Sequence, residues 1–129
     1  LHRAKEELEK VETDIVLPEN MNLHSFDFNV IVGNLLDNAI AASIRTDERF
    51  LKLSIRMENG VLFLYMVNSC MGIPEGVCEI RRLSEKSLAG HGIGLTNVQR
   101  IVEKYHGDME MHCKGNDMET EIMLYMKNL

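Results

Sequence analysis

Two polar residues and one glycine run carry the chemistry this chain could do. Asn34 and Asn38 stand four residues apart in Gly33-Asn34-Leu35-Leu36-Asp37-Asn38-Ala39, and Gly90-His91-Gly92-Ile93-Gly94-Leu95 follows later in the chain. On a helix, residues at i and i+4 lie on one face, so the two amides can converge on one point. An amide oxygen suits a hard cation such as Mg²⁺, which keeps several waters and shares its shell with phosphates. The glycine run offers three backbone positions without side-chain obstruction and leads into a helix start, where free amides and the dipole favour phosphate. Lys86, just before that run, can reach a phosphate from the preceding loop. Asn68 and the nearby Gly72-Ile73 can contact a ligand base. Each feature has a plain alternative: asparagines that brace loops, a glycine hinge, a solvated lysine. His91 suits loop packing at least as well as catalysis.

The elements that must position these residues follow from periodicity. Leu1 to Lys10 has helix-forming composition, and Thr13 to Leu17 leans towards strand. From Ser25 or Asp27 to Ser43, the residues Phe28, Ile31, Val32, Leu35, Leu36, Ala39 and Ile40 recur at helical spacing, leaving Asn34, Asp37, Asn38 and Ala41 on the other stripe. Phe50 to Met57 and Val61 to Asn68 read as strands joined at Glu58-Asn59-Gly60, since Asn-Gly tolerates positive φ. Ser69 to Gly90 reads as a long lid-like connection with room for a short helix. Gly94 to Tyr105 is a second amphipathic helix ending at Gly107 as its C′ residue. Met109 to Cys113 and Thr120 to Met126 form a last hairpin, with Met109, Met111, Met123 and Met126 as packing residues. This order is not a βαβ alternation. It predicts an α/β two-layer sandwich, a mixed and mostly antiparallel sheet with helices on one face. The glycine run follows a long loop instead of an early strand, so it also fails the dinucleotide-binding context.

Bulk properties narrow the function. The 129 residues fit one domain, and 20 acidic against 14 basic residues give a net charge of −6, with no long-range pull towards nucleic acid or anionic lipid. Cys70, Cys78 and Cys113 have no metal-ligand spacing and suggest a reducing compartment. No apolar run reaches the roughly twenty residues a bilayer requires. The start at Leu1, without Met and already in helical composition, is expected for a domain whose first helix continues upstream.

With these motifs in this order, the chain resembles the ATP-binding catalytic domain shared by sensor histidine kinases, DNA gyrase and MutL, the GHKL or Bergerat-fold group. Within it the chain looks similar to the AgrC-like quorum-sensing kinases of Gram-positive bacteria. The resemblance spans residues 12–129 and makes residues 1–11 a linker helix from an upstream dimerisation domain. It implies ATP and Mg²⁺ as cofactors, with Asn38 holding the metal in the matching Asn34 to Ala39 motif. The implied nucleotide-binding set is Asn34, Asn38, Asn68, Gly72, Lys86, Gly90, His91, Gly92, Ile93, Gly94 and Leu95, with Asn34 and Lys86 in the catalytic role. Asn97-Val98 and Ile101 to Gly107 continue the subgroup pattern.

One departure concerns the base. The group's Asp-x-Gly-x-Gly motif stands here as Asn68-Ser69-Cys70-Met71-Gly72. An Asn oxygen still accepts the adenine amino hydrogen bond but loses charge assistance, on the order of 1 kcal/mol, so weak affinity is expected. The implied reaction is transfer of the γ-phosphoryl group to a histidine on a separate helical dimerisation domain, for onward use by a response regulator. Asn34 in place of the Glu of ATP-hydrolysing relatives fits a kinase, because a histidine nucleophile needs no activated water. The acceptor histidine is expected upstream of Leu1, and His2 is rejected for that role. The segment is then a cytoplasmic domain of a membrane-anchored bacterial sensor kinase. On its own it contacts no membrane or nucleic acid, and it is homodimeric only in the full-length protein. The competing readings are a scaffold domain of the same fold with decayed nucleotide binding, and a stand-alone serine kinase of the anti-sigma-factor type.

Overall fold

The computed structural model describes residues 2–18, 23–71, 79–82 and 93–126. The elements in chain order are α1 (His2–Glu7), β1 (Lys10–Val16), α2 (Ser25–Ser43), β2 (Phe50–Glu58), β3 (Val61–Ser69), β4 (Glu79–Arg82), α3 (Ile93–Lys104), β5 (Asp108–Lys114) and β6 (Asp117–Tyr125). The strands form one sheet in the order β1-β2-β3-β6-β5-β4. Among the described strands β1–β2 is the one parallel pair, and the other pairings are antiparallel.

Alternation in the strands assigns the two faces. Leu51, Leu53 and Ile55 of β2, Leu62, Leu64 and Met66 of β3, and Ile122 and Leu124 of β6 are buried on one side. Against them pack Ile31, Leu35, Ala39 and Ile40 of α2 and Leu95, Val98 and Val102 of α3. The intervening strand residues face the other side, where Lys52, Arg56, Phe63 and Glu121 are exposed. This is the two-layer α/β sandwich expected, with helices on one face of a mixed, mostly antiparallel sheet. Ala4 and Leu8 join the same core, and β1 begins at Lys10, ahead of the stretch its composition suggested. Met109 and Met126 are buried and Met111 packs against the core, whereas Met123 lies on the opposite face of β6.

Three local features differ from the periodicity reading. Residues 79–82 form a strand, β4, pairing with β5 at the sheet edge, where a short helix had room to form. Its partner is distant in sequence, so local composition carries no trace of the pairing. α2 is capped by His24, whose Nδ1 accepts the Phe26 amide proton at 3.1 Å, although Ser, Thr, Asp and Asn are the usual caps. The left-handed residue closing α3 is His106 (φ 56°), not Gly107. The His106 amide donates to the Glu103 carbonyl and the Gly107 amide to the Val102 carbonyl, a Schellman closure with His106 at C′. The Asn59-Gly60 turn has positive φ at both residues (50° and 77°), as expected.

α2 and α3 are locked together at one end. The buried Asp27 carboxylate accepts from Lys104 Nζ at 2.9 Å and from the Tyr105 hydroxyl at 2.7 Å, and the same hydroxyl accepts the His24 amide proton at 3.1 Å. The hydrogen bonds from Lys104 and Tyr105 hold the Asp27 carboxyl below its ordinary value of 3.8, against the opposing effect of burial. A carboxyl depressed in the folded state stabilises the fold above its unfolded pKa, and that contribution is lost as pH falls through the folded value. Asp27→Asn should therefore destabilise by about 2 kcal/mol at neutral pH, the scale of a hydrogen bond to a charged group. The difference from wild type should shrink below pH 3.8 and vanish at lower pH in urea unfolding series. A constant difference would place the stabilisation elsewhere.

Candidate functional site

α2 turns one stripe away from the core. Asn34 on that stripe is half-buried, while Gly33, Asp37, Asn38 and Ala41 are exposed. Asn34 is fixed by its own helix, because Nδ2 donates to the Val30 carbonyl at 2.7 Å. A carbonyl only accepts, so the amide nitrogen must face Val30 and Oδ1 must face outward. That oxygen meets α3. A Cβ built on Gly94 would lie 2.7 Å from Asn34 Oδ1 and 3.4 Å from its Cγ, so only glycine permits this approach. The two motifs, far apart in sequence, therefore touch at Asn34 and Gly94. Asn38 lies one turn further along the same stripe, open to solvent.

Other expected site residues are placed differently. Leu95 is 3% exposed and belongs to the core; any part it plays falls to its backbone. Ile93 contributes its backbone to the first turn of α3. Gly72, Lys86, Gly90, His91 and Gly92 lie outside the described residues.

Asn68 ends the buried face of β3, with Nδ2 donating to the Ser69 carbonyl at 2.9 Å. Beside it is a residue that motif reading missed. Thr120 of β6 is fully buried and its Oγ1 has no hydrogen-bond partner among the described residues. In the β3–β6 register Asn68 faces Met118 and Met66 faces Thr120, so Thr120 is the diagonal neighbour of Asn68 on the helix-facing side. A buried hydroxyl without a partner is costly and marks a place where a ligand or water can supply the missing bond. A lone Thr in a strand gives no sequence signal of this.

The strand end carrying Asn68 is braced from α2. Ser69 Oγ is hydrogen-bonded to Ser43 Oγ, accepts the Phe50 amide proton at 3.1 Å and lies 3.1 Å from Thr46 Oγ1. Ser43 is the last residue of α2, so the helix bearing Asn34 and Asn38 and the strand bearing Asn68 are held as one unit. Beyond Ser69 opens a cleft of about 560 Å³ lined by residues including Thr46, Phe50, Cys70, Met71 and Asn116. It borders the segment that follows Asn68, with Ser69, Cys70 and Met71 in its lining, but includes neither Asn34 nor Asn38.

Comparison with known proteins bears on this geometry. Residues 23–125 match the family described as GHKL domain. The chain is 36% identical over 124 residues to a "Probable C4-dicarboxylate sensor kinase" of Halalkalibacterium halodurans, covering 92% of this chain and 23% of that protein. It is 32% identical over 94 residues to the sensor histidine kinase DpiB of Escherichia coli, covering 66% of this chain and 17% of that one. The chain thus spans about a quarter or less of the length of these curated relatives. Among solved structures, the Acinetobacter baumannii histidine kinase AdeS superposes with a TM-score of 0.72 at 20% identity, covering 98% of this chain and 59% of that one, which is a likeness of fold.

Proposed function

The chain belongs to the GHKL-domain family, and on that premise we propose that it is the Mg·ATP-binding catalytic domain of a sensor histidine kinase, serving a phosphoacceptor histidine on a separate helical dimerisation domain. The observation that carries this reading is the contact between Asn34 and Gly94, which joins the helix face bearing Asn38 to the end of the glycine segment where it enters α3. Homology with two sensor kinases supports it.

The residues present fit both cofactors. The close approach at Gly94 and the orphan hydroxyl of Thr120 are features a bound nucleotide would use. Among the described residues no three His, Cys, Asp or Glu side chains converge on a metal site. A cation here would be held by Asn38 and phosphate oxygens together, the shared shell Mg²⁺ prefers. When bound, Mg·ATP supplies an activated γ-phosphoryl group whose charge the cation offsets. Asn34 positions and does not activate water, because an amide is no base and its nitrogen is spent on Val30. Asn68 and Thr120 orient the base from the sheet, and Lys86 and residues 90–94 attend the phosphates. The segment before Lys10, where β1 of the sheet already begins, leads in from the dimerisation domain, and the parent protein is membrane-anchored, homodimeric and served by a response regulator.

Calorimetric titration with Mg·ATP tests the reading, and no binding at millimolar nucleotide overturns it. Asn38→Ala should weaken Mg-dependent binding about tenfold and leave unfolding unchanged. Wild-type affinity in that variant would remove Asn38 from the metal site. Thr120→Val should raise the stability of the nucleotide-free protein by about 1 kcal/mol, by removing a buried hydroxyl without a partner, yet weaken nucleotide binding. Equal affinity would leave Thr120 a packing residue.

For the signal, Asn68-Ser69-Cys70 and Ile101 to Gly107 support an AgrC-like peptide sensor. The 36% identity to a protein named as a C4-dicarboxylate sensor kinase favours a second reading, a small-carboxylate sensor. Adding either ligand class to the full-length parent and measuring autophosphorylation separates the two.

A further inference from the structure

Two of the three cysteines meet although they are 43 positions apart: Cys70 Sγ lies 4.0 Å from Cys113 Sγ, and both thiols are buried and unlinked. The sheet brings them there. The Cys70 amide donates to the Asn116 carbonyl at 2.9 Å, extending the β3–β6 ladder one residue past the Ser69–Asp117 pair. Cys113, inside β5, faces Met118 of β6, and Met118 also faces Asn68 of β3. Asn68, Met118 and Cys113 thus form one row across three strands, so the thiol pair borders the residue expected to receive adenine. Cys70 also lines the 560 Å³ cleft, which gives a small solute a route to its side of the pair.

We propose that Cys70 and Cys113 form a redox-active dithiol that closes to an intramolecular disulfide by exchange with a low-molecular-weight disulfide, and that closure weakens nucleotide binding. The second half rests on the Mg·ATP reading above. In the first step the Cys70 thiolate attacks one sulfur of the small disulfide, forming a mixed disulfide and releasing one small thiolate. The Cys113 thiolate then attacks the Cys70 sulfur, forming the new S–S bond and expelling the second small thiolate. The two cysteine protons end on the two small thiols. The protein loses two electrons and two protons, and the small disulfide gains them.

A disulfide bond is about 2.05 Å long, so the sulfurs must approach by about 2 Å. Cys113 is held within β5, whereas Cys70 lies past the end of β3 and is held there by its ladder bond to Asn116, so the movement falls on Cys70 and the segment that continues from Asn68. Burial, with Cys113 as neighbour, pushes the Cys70 thiol up to about 11. Little thiolate exists at neutral pH, so the pair answers sustained redox poise and not a brief oxidant pulse.

The test equilibrates the 129-residue chain in buffers of graded glutathione to glutathione disulfide ratio, alkylates remaining thiols and weighs the intact protein. The expected product has lost two hydrogens and two alkylation sites, persists in Cys78→Ser, and is absent in Cys70→Ser and Cys113→Ser. Oxidised Cys78→Ser should bind Mg·ATP at least about fivefold more weakly than the reduced form, with recovery on dithiothreitol. Only glutathione adducts, only Cys78-linked species, or no disulfide at the most oxidising ratio would overturn the dithiol. A Cys70–Cys113 disulfide with unchanged affinity overturns the control of binding. If neither form binds nucleotide, the Mg·ATP reading and the control both fall, while the mass result still decides the dithiol.

Discussion

Gly107→Ala should destabilise the chain by about 3 kcal/mol or more, or prevent it from folding, the upper end of what overpacking costs. The reason is not conformational freedom, since the positive φ that closes α3 belongs to His106. A Cβ at Gly107 would lie 2.0 Å from the Met123 carbonyl oxygen and 3.0 Å from Leu124 Cδ2. Met123 O is backbone of β6, a strand paired on both sides by β3 and β5, so it cannot retreat without straining two ladders. The turn cannot retreat either, because the Gly107 amide is bonded to Val102 and the Tyr125 amide donates to the Tyr105 carbonyl at 3.3 Å. His106→Gly is the matched contrast. It relieves a left-handed side-chain residue and should be neutral or stabilise by up to about 1 kcal/mol. Urea midpoints of the two variants check both expectations. A Gly107→Ala midpoint near wild type would mean that the α3–β5 turn yields far more easily than its bonds imply.

The same turn marks how far the sequence could be read. The amphipathic stripes of α2 and α3 and the alternation in β2, β3 and β6 were legible because each element buries one face, and burial imposes its own period. The Asn-Gly turn was legible because both central residues need positive φ. Three things were not. β4 depends on β5 for its existence, and a four-residue edge strand has too little pattern to announce itself. His24 caps α2 with an imidazole because the Tyr105 hydroxyl and Asp27 hold that corner, a partnership across 81 and 78 positions for which no local rule exists. Gly107 looked like a left-handed terminator from composition, whereas its task is close approach to a strand that comes later in the chain. At the site, Asn34, Asn38, Asn68 and the glycine run were legible as residue types suited to phosphate and metal chemistry. The contact that unites two of them, the Ser69 brace and the orphan hydroxyl of Thr120 were not, because each arises only when separate elements meet.

That contact supplies the second large effect. Gly94→Ala should weaken Mg·ATP binding about thirtyfold, or about 2 kcal/mol, while changing stability by less than about 1 kcal/mol. A methyl group there lies 2.7 Å from Asn34 Oδ1, so either Asn34 or the start of α3 must shift. Turning Asn34 away breaks its bond to the Val30 carbonyl and sends the side chain into the space beside Asn38. Shifting α3 instead displaces the helix start that receives the glycine segment. Both responses disturb the phosphate end of the site, whereas global stability gains from the better helix propensity of Ala, which offsets part of the strain. The two mechanisms separate in a double-mutant cycle. Asn34→Ala removes the oxygen that the methyl group meets, so in that background Gly94→Ala should cost far less affinity than in wild type, a coupling of at least about 1 kcal/mol. If the two losses simply add, the Asn34–Gly94 contact does not organise the nucleotide site. If Gly94→Ala binds as wild type does, the glycine segment enters α3 without taking part in phosphate recognition.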